Sequence, residues 1–131
     1  MLANGANIEA TSGDDKSTPL HGASLIGHTG VVKLLLEKGA NIEVTRSTNR
    51  STPLDTAALF GDTDMVRLLL EKGAKVEATR SDTGATPLDS ATCNGCTDVV
   101  RLLLEKGANV EATRSDDGAT PLYCASWRGH I

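Results

Sequence analysis

The strongest constraint on this chain is that it repeats itself every 34 residues. Residues 18–40 read TPLHGASLIGHTGVVKLLLEKGA, residues 52–74 TPLDTAALFGDTDMVRLLLEKGA and residues 86–108 TPLDSATCNGCTDVVRLLLEKGA. A shortened copy, TPLYCASWRGHI, occupies 120–131. Thr18, Thr52, Thr86 and Thr120 keep the spacing, and so do Gly5, Gly39, Gly73 and Gly107. A fixed period of this length marks a file of like units, not a core gathered from distant segments. One unit alone cannot bury its leucines, whereas stacked units can, and stability becomes a sum of unit and interface terms. Each large aliphatic side chain covered in this way contributes about 2 kcal/mol.

Within a unit the pattern predicts two helices. Thr86 is a good N-cap, because its hydroxyl can accept from an orphan N–H of the first turn. Pro87 suits the first helical position, where its missing N–H costs nothing. Leu88, Ala91, Thr92 and Gly95 then fall on one narrow face, and Gly95 sits where a left-handed C-terminal residue is expected. Thr97 and Asp98 predict a second start. The run VVRLLLEK after them is apolar around most of its circumference, so it needs cover from more than one side. Lys106 and Gly107 close it. The segment 107–120, GANVEATRSDDGAT, is rich in turn-formers and predicts an extended, β-hairpin-like finger.

These residues resemble the ankyrin repeat. The family's T-P-L-H-x-A run is TPLHGA at 18–23, TPLDTA, TPLDSA and TPLYCA in the later copies, and its V-V-x-L-L-L-x-x-G-A is VVKLLLEKGA at 31–40. The resemblance covers essentially the whole chain. It implies an all-α repeat solenoid, an ankyrin-like stack of helix-turn-helix units with β-hairpin fingers. The chain would be one domain over 1–131, with a partial unit at 1–17, full units at 18–51, 52–85 and 86–119, and a truncated unit at 120–131. Three departures from the family pattern stand out. The period is 34 where 33 is usual, with the extra residue in the finger near Thr79, Arg80 and Ser81. Glu9, Glu43, Glu77 and Glu111 replace an asparagine that is a hydroxylation target in the family, so these units should not be substrates for that modification. His21 alone keeps the family histidine; Asp55, Asp89 and Tyr123 replace it, which puts the usual tie between units in doubt there.

The chain opens on Leu2-Ala3-Asn4-Gly5, which matches the tail of a second helix, and closes at Ile131, where another should begin. Neither end carries the polar outer face of a capping unit, so an excerpt of a longer array with fraying ends is expected.

Composition narrows the function. Net charge is −4 and charges of both signs interleave, unlike the basic footprint of a nucleic-acid binder. Aromatics are 2%, so leucine, valine, isoleucine and alanine must build the core. MLANGANIEA has no apolar signal-peptide region, and no apolar run approaches the roughly 18 residues of a membrane span. Three cysteines do not suggest a disulfide framework, which favours a cytoplasmic or nuclear setting. Cys93 and Cys96 form a C-x-x-C without a second ligand pair, so no zinc is expected. His21, His28 and His130 read as turn and inter-unit hydrogen-bonding residues, and Asp116-Asp117-Gly118 as a turn. No cofactor, small-molecule ligand or catalytic set is expected. Lys33, Arg67 and Arg101, with Glu37, Glu71 and Glu105, predict parallel charge ladders: either a solvated face with weak i,i+4 pairs or a surface that steers a partner.

The resemblance implies a non-enzymatic, monomeric protein-interaction module that grips a protein partner on its concave side; a structural spacer in a larger protein is the alternative. Positions constant in every copy build the stack, and positions that vary can address the partner. Variation concentrates at the finger tips (Asn49, Arg50, Asp82, Thr83, Asp116 and Asp117) and along the first helices (Leu25, Ile26, Leu59, Phe60, Asn94, Tyr123, Trp127 and Arg128). Aromatic residues and arginine most often anchor interfaces, which singles out Phe60, Trp127 and Arg128.

Overall fold

The computed structural model describes residues 8–11, 13, 16–45, 50–79 and 84–111. Among these residues six helices follow in order: α1 (Pro19–Ile26), α2 (Thr29–Glu37), α3 (Pro53–Leu59), α4 (Thr63–Glu71), α5 (Pro87–Cys93) and α6 (Thr97–Glu105). The first helices α1, α3 and α5 pack side by side, α2, α4 and α6 do the same, and each unit's own pair is in contact. The result is two helical layers in file. Leu20, Leu54 and Leu88 of the first layer are almost fully buried, as are Leu35, Leu69 and Leu103 of the second.

Every first helix begins as the Thr-Pro pair dictates. Thr18, Thr52 and Thr86 are extended, and each hydroxyl accepts from the backbone N–H three residues on, at 3.4, 3.2 and 3.2 Å. The narrow face is only partly as predicted: Leu88 and Ala91 are buried, Thr92 turns its hydroxyl back to Leu88 O at 2.8 Å, and Gly95 is exposed. The turn between the paired helices needs glycine. Gly61 lies at φ 72°, and a Cβ there would stand 3.0 Å from Cys96 Sγ of the next unit. Any side chain at Gly61 would both strain the backbone and push the units apart.

The second helices start one residue earlier than expected. Thr97 is the first helical residue of α6, and the capping position falls to Cys96, which makes no side-chain cap bond. His28 of α2 makes none either, whereas Asp62 of α4 accepts from Met65 N at 3.2 Å. Position 62 thus shows what an aspartate does there. Cys96→Asp should gain the same bond and complement the helix dipole, raising stability by about 1 kcal/mol in equilibrium urea unfolding. No gain would mean that the Gly61 contact rejects the carboxylate.

Cover by neighbours sets the burial of α2, α4 and α6. Met65 and Leu68 of α4 are 0% and 5% exposed, and Val99 and Leu102 of α6 are 1% and 7%. Val31 and Leu34, at the same places in α2, are 47% and 48% exposed.

The β-hairpin fingers are not found among the described residues, which contain no extended strand. What is described of each finger is its base, a turn closed by Val44 N to Asn41 O at 3.3 Å and by Ala78 N to Lys75 O at 3.2 Å. A carboxylate then fastens each base to the next unit. Glu9 Oε2 accepts from Asn41 N at 2.6 Å, Glu43 Oε2 from Lys75 N at 2.7 Å and Glu77 Oε2 from Asn109 N at 3.0 Å. The glutamate that departs from the family pattern therefore joins successive units.

Candidate functional site

The tie lost with the family histidine is replaced by another bond in the second unit. In the first unit His21 Nδ1 meets the Thr18 hydroxyl at 3.2 Å, and Nε2 meets Ser51 O, just ahead of α3, at 3.3 Å. In the second unit the buried Asp55 accepts from Ser90 Oγ of α5 at 2.6 Å. In the third, Asp89 accepts from Thr86 N at 2.8 Å, closing a capping box. The His21 and Asp55 bonds thus reach the next unit, whereas the Asp89 capping box lies within its own.

The ends of the first helices face solvent. Ile26 is 68% exposed and Phe60 is 64% exposed, and these two residues and Asn94 occupy one position in successive units. Because α1, α3 and α5 lie side by side, the three form a row across the stack, stepping about 8–10 Å per unit as packed helices do. Leu25 is 46% exposed beside Ile26, whereas Leu59 is half-buried. Asn94 has a second job that sequence reading missed. Its side-chain amide donates to Leu59 O at 2.7 Å, satisfying a carbonyl at the end of α3. Arg50 is exposed ahead of α3, with φ 58° where Gly84 has 74° one unit on. Holding an arginine there costs about 1 kcal/mol. Asn49, Asp82, Thr83, Asp116, Asp117, Tyr123, Trp127 and Arg128 lie outside the described residues.

The two cysteines of the C-x-x-C motif are not joined to each other. Cys93 is disulfide-bonded, its partner lying outside the described residues, while Cys96 is a free thiol. The odd cysteine count did not point to that bond. Burial pushes the Cys96 thiol above its usual pKa, so at neutral pH it is a poorer nucleophile than an open thiol.

The charge ladders line two like grooves between successive second helices. One, of about 240 Å³, has Lys33 and Arg67 facing Asp64 and Glu71; the other, of about 220 Å³, has Arg67 and Arg101 facing Asp98 and Glu105. The ion pairs within them run i to i+3, Arg67 to Asp64 at 3.3 Å and Arg101 to Asp98 at 3.5 Å, not i to i+4 as expected. Exposed pairs of this kind add little stability.

A family model for ankyrin repeats matches three times, over residues 1–80, 47–114 and 77–131. The chain belongs to the ankyrin repeat family. No curated protein matches it. Ankyrin repeats are in general protein-interaction modules, and the family is typically non-enzymatic. Among the described residues of this ankyrin stack, no helix is long and apolar enough to cross a membrane.

Proposed function

We infer that this ankyrin stack is a non-enzymatic module that binds a protein partner through the row of residues at the ends of its first helices. The observation that carries the reading is the exposure of Ile26 and Phe60, 68% and 64%, at one repeated position. Nothing in the fold requires large apolar side chains to stand in water there. The same position holds Asn94 in the third unit, so the stack tolerates a polar residue. A row with helix spacing suits a partner whose own apolar side chains recur every 10 Å or so, as at i and i+7 of a helix. Arg50 and Asn49, with the other finger-tip residues, would contact the same partner from the fingers, and Trp127 and Arg128 would extend the row.

The test is selection of binders from a displayed random-peptide library, followed by titration against variants. Phe60→Ala should weaken the selected peptides at least about tenfold, the loss of one interface anchor. It should leave the free energy of unfolding unchanged within about 0.5 kcal/mol, because the ring is exposed. Peptides that bind wild type and Ile26→Ser/Phe60→Ala equally would refute the assignment.

A further inference from the structure

We propose that the partner of the binding row is an acidic amphipathic helix, an inference that rests on that row and adds the chemistry it takes. The helix sets apolar side chains on Ile26 and Phe60 and carboxylates of one flank on Lys16 and Arg50. Lys16 and Arg50 hold one repeated position, two residues ahead of the capping threonines, with Gly84 third in the series. Their φ angles are 56° and 58°, in the left-handed region, and Gly84 has 74°. Glycine adopts that conformation freely, whereas a side chain strains it. Two successive units nevertheless carry a long cation there. Both are exposed, and neither makes an ion pair or a side-chain hydrogen bond among the described residues. No bond within the described fold accounts for the charge, and strain held without such a bond points to an outside contact.

Spacing and charge identify that contact. Lys16 and Arg50 precede α1 and α3, and Ile26 and Phe60 stand at the far ends of the same helices. Cation and apolar residue are thus separated by the length of a seven- or eight-residue helix, roughly 10–12 Å. An α-helix with its side chains is about as wide. A helix lying along the row therefore brings the side chains of one flank to the cations, whose long stems let the charged heads move to meet them. The first helices offer no competing acid: Asp55 and Asp89 are 2% exposed, and the exposed Asp64, Glu71, Asp98 and Glu105 belong to second helices. Asp62, two residues past Phe60, is half-buried, and its Oδ1 already accepts from Met65 N. Arg50 is the stronger anchor, because Thr48 and Asn49 precede it whereas Asp14 and Asp15 precede Lys16. The third unit, with Gly84 and Asn94, presents neither the cation nor the apolar side chain, so the acidic, apolar part of the partner lies over the first two units.

The experiment titrates three synthetic helical peptides against the full chain. Each carries leucines at i and i+7 and, about 100° round the helix at i+1 and i+8, either glutamates, glutamines or lysines. At low salt the glutamate peptide should bind about tenfold or more tighter than the lysine peptide, with the glutamine peptide between, and added salt should close the gap. Arg50→Gly should remove most of that preference while raising the urea midpoint, since the strained backbone is relieved; Arg50→Lys should keep the preference. Phe60→Ala should weaken all three peptides and leave their order unchanged. Equal binding of the glutamate and lysine peptides, a preference that Arg50→Gly does not move, or no binding of the glutamate peptide would each overturn the proposal. If Phe60→Ala still weakens the peptides in the first two cases, the row itself stands. Binding indifferent to Phe60→Ala would sink the row, and this proposal with it.

Discussion

Leu68→Ala should cost about 3 kcal/mol in equilibrium unfolding, while Leu34→Ala should cost about 1 kcal/mol or less. The two leucines sit in nearly identical sequence, VRLLLE and VKLLLE, at the same place in successive units. Their exposures are 5% and 48%. Removing Leu68 deletes buried methyl groups and leaves a hole between α2 and α4, which the surrounding helices fill only in part. Removing Leu34 deletes surface that water already reaches. Urea titration followed by helical circular dichroism reads the difference directly, with hydrogen exchange to assign the loss to one unit. Equal losses at both sites would mean that α2 is covered in solution, contrary to the burial described above.

The second large effect concerns the buried carboxylate. Asp55→Ala should destabilise by about 2–3 kcal/mol, the range for a hydrogen bond to a charged group together with a stranded partner. Asp55 is 2% exposed, and its 2.6 Å bond from Ser90 Oγ has the length usual for a hydroxyl donating to a carboxylate. The Ser90 side chain, 6% exposed, would be left without that acceptor. A double-mutant cycle with Ser90→Ala isolates the bond, and a coupling of about 1 kcal/mol or more is expected. Asp64→Ala, which breaks an exposed ion pair, is the contrast and should stay within about 0.5 kcal/mol. Additive effects of Asp55→Ala and Ser90→Ala would remove Asp55 as the successor to the family histidine.

The architecture was legible because its causes are local and repeated. Thr-Pro fixes where each first helix begins, and three consecutive leucines force a helix to seek neighbours on several sides. The joints were less visible. Asp55 and Ser90 are 35 residues apart, and Glu43 and Lys75 are 32 apart, so neither pair falls on the repeat period. Such bonds lean from one unit into the next, and their offsets follow from three-dimensional geometry. The sequence signal for this bond is the length of the glutamate side chain where the family has asparagine, which lets Glu43 reach a neighbour's backbone. Thr97 and Asp98 both have cap chemistry while Cys96 has none, so the sequence alone points to a start of α6 one residue too late. For the proposed row, comparing units marks Ile26, Leu59 and Phe60 alike as variable, and helix phase alone leaves their burial undecided; only the structure separates the half-buried Leu59 from the exposed pair.

The carboxylate clasp at the finger bases has a consequence for how such a chain can grow. Each unit brings an acceptor for the unit ahead, and the clasped group is a backbone N–H, which every residue but proline supplies. Asn41, Lys75 and Asn109 are all held, although their side chains differ. A gene segment duplicated whole would thus arrive with its fastening already made, whatever residue drift had placed at the receiving position. Lengthening by copying needs no matched pair of mutations at the seam.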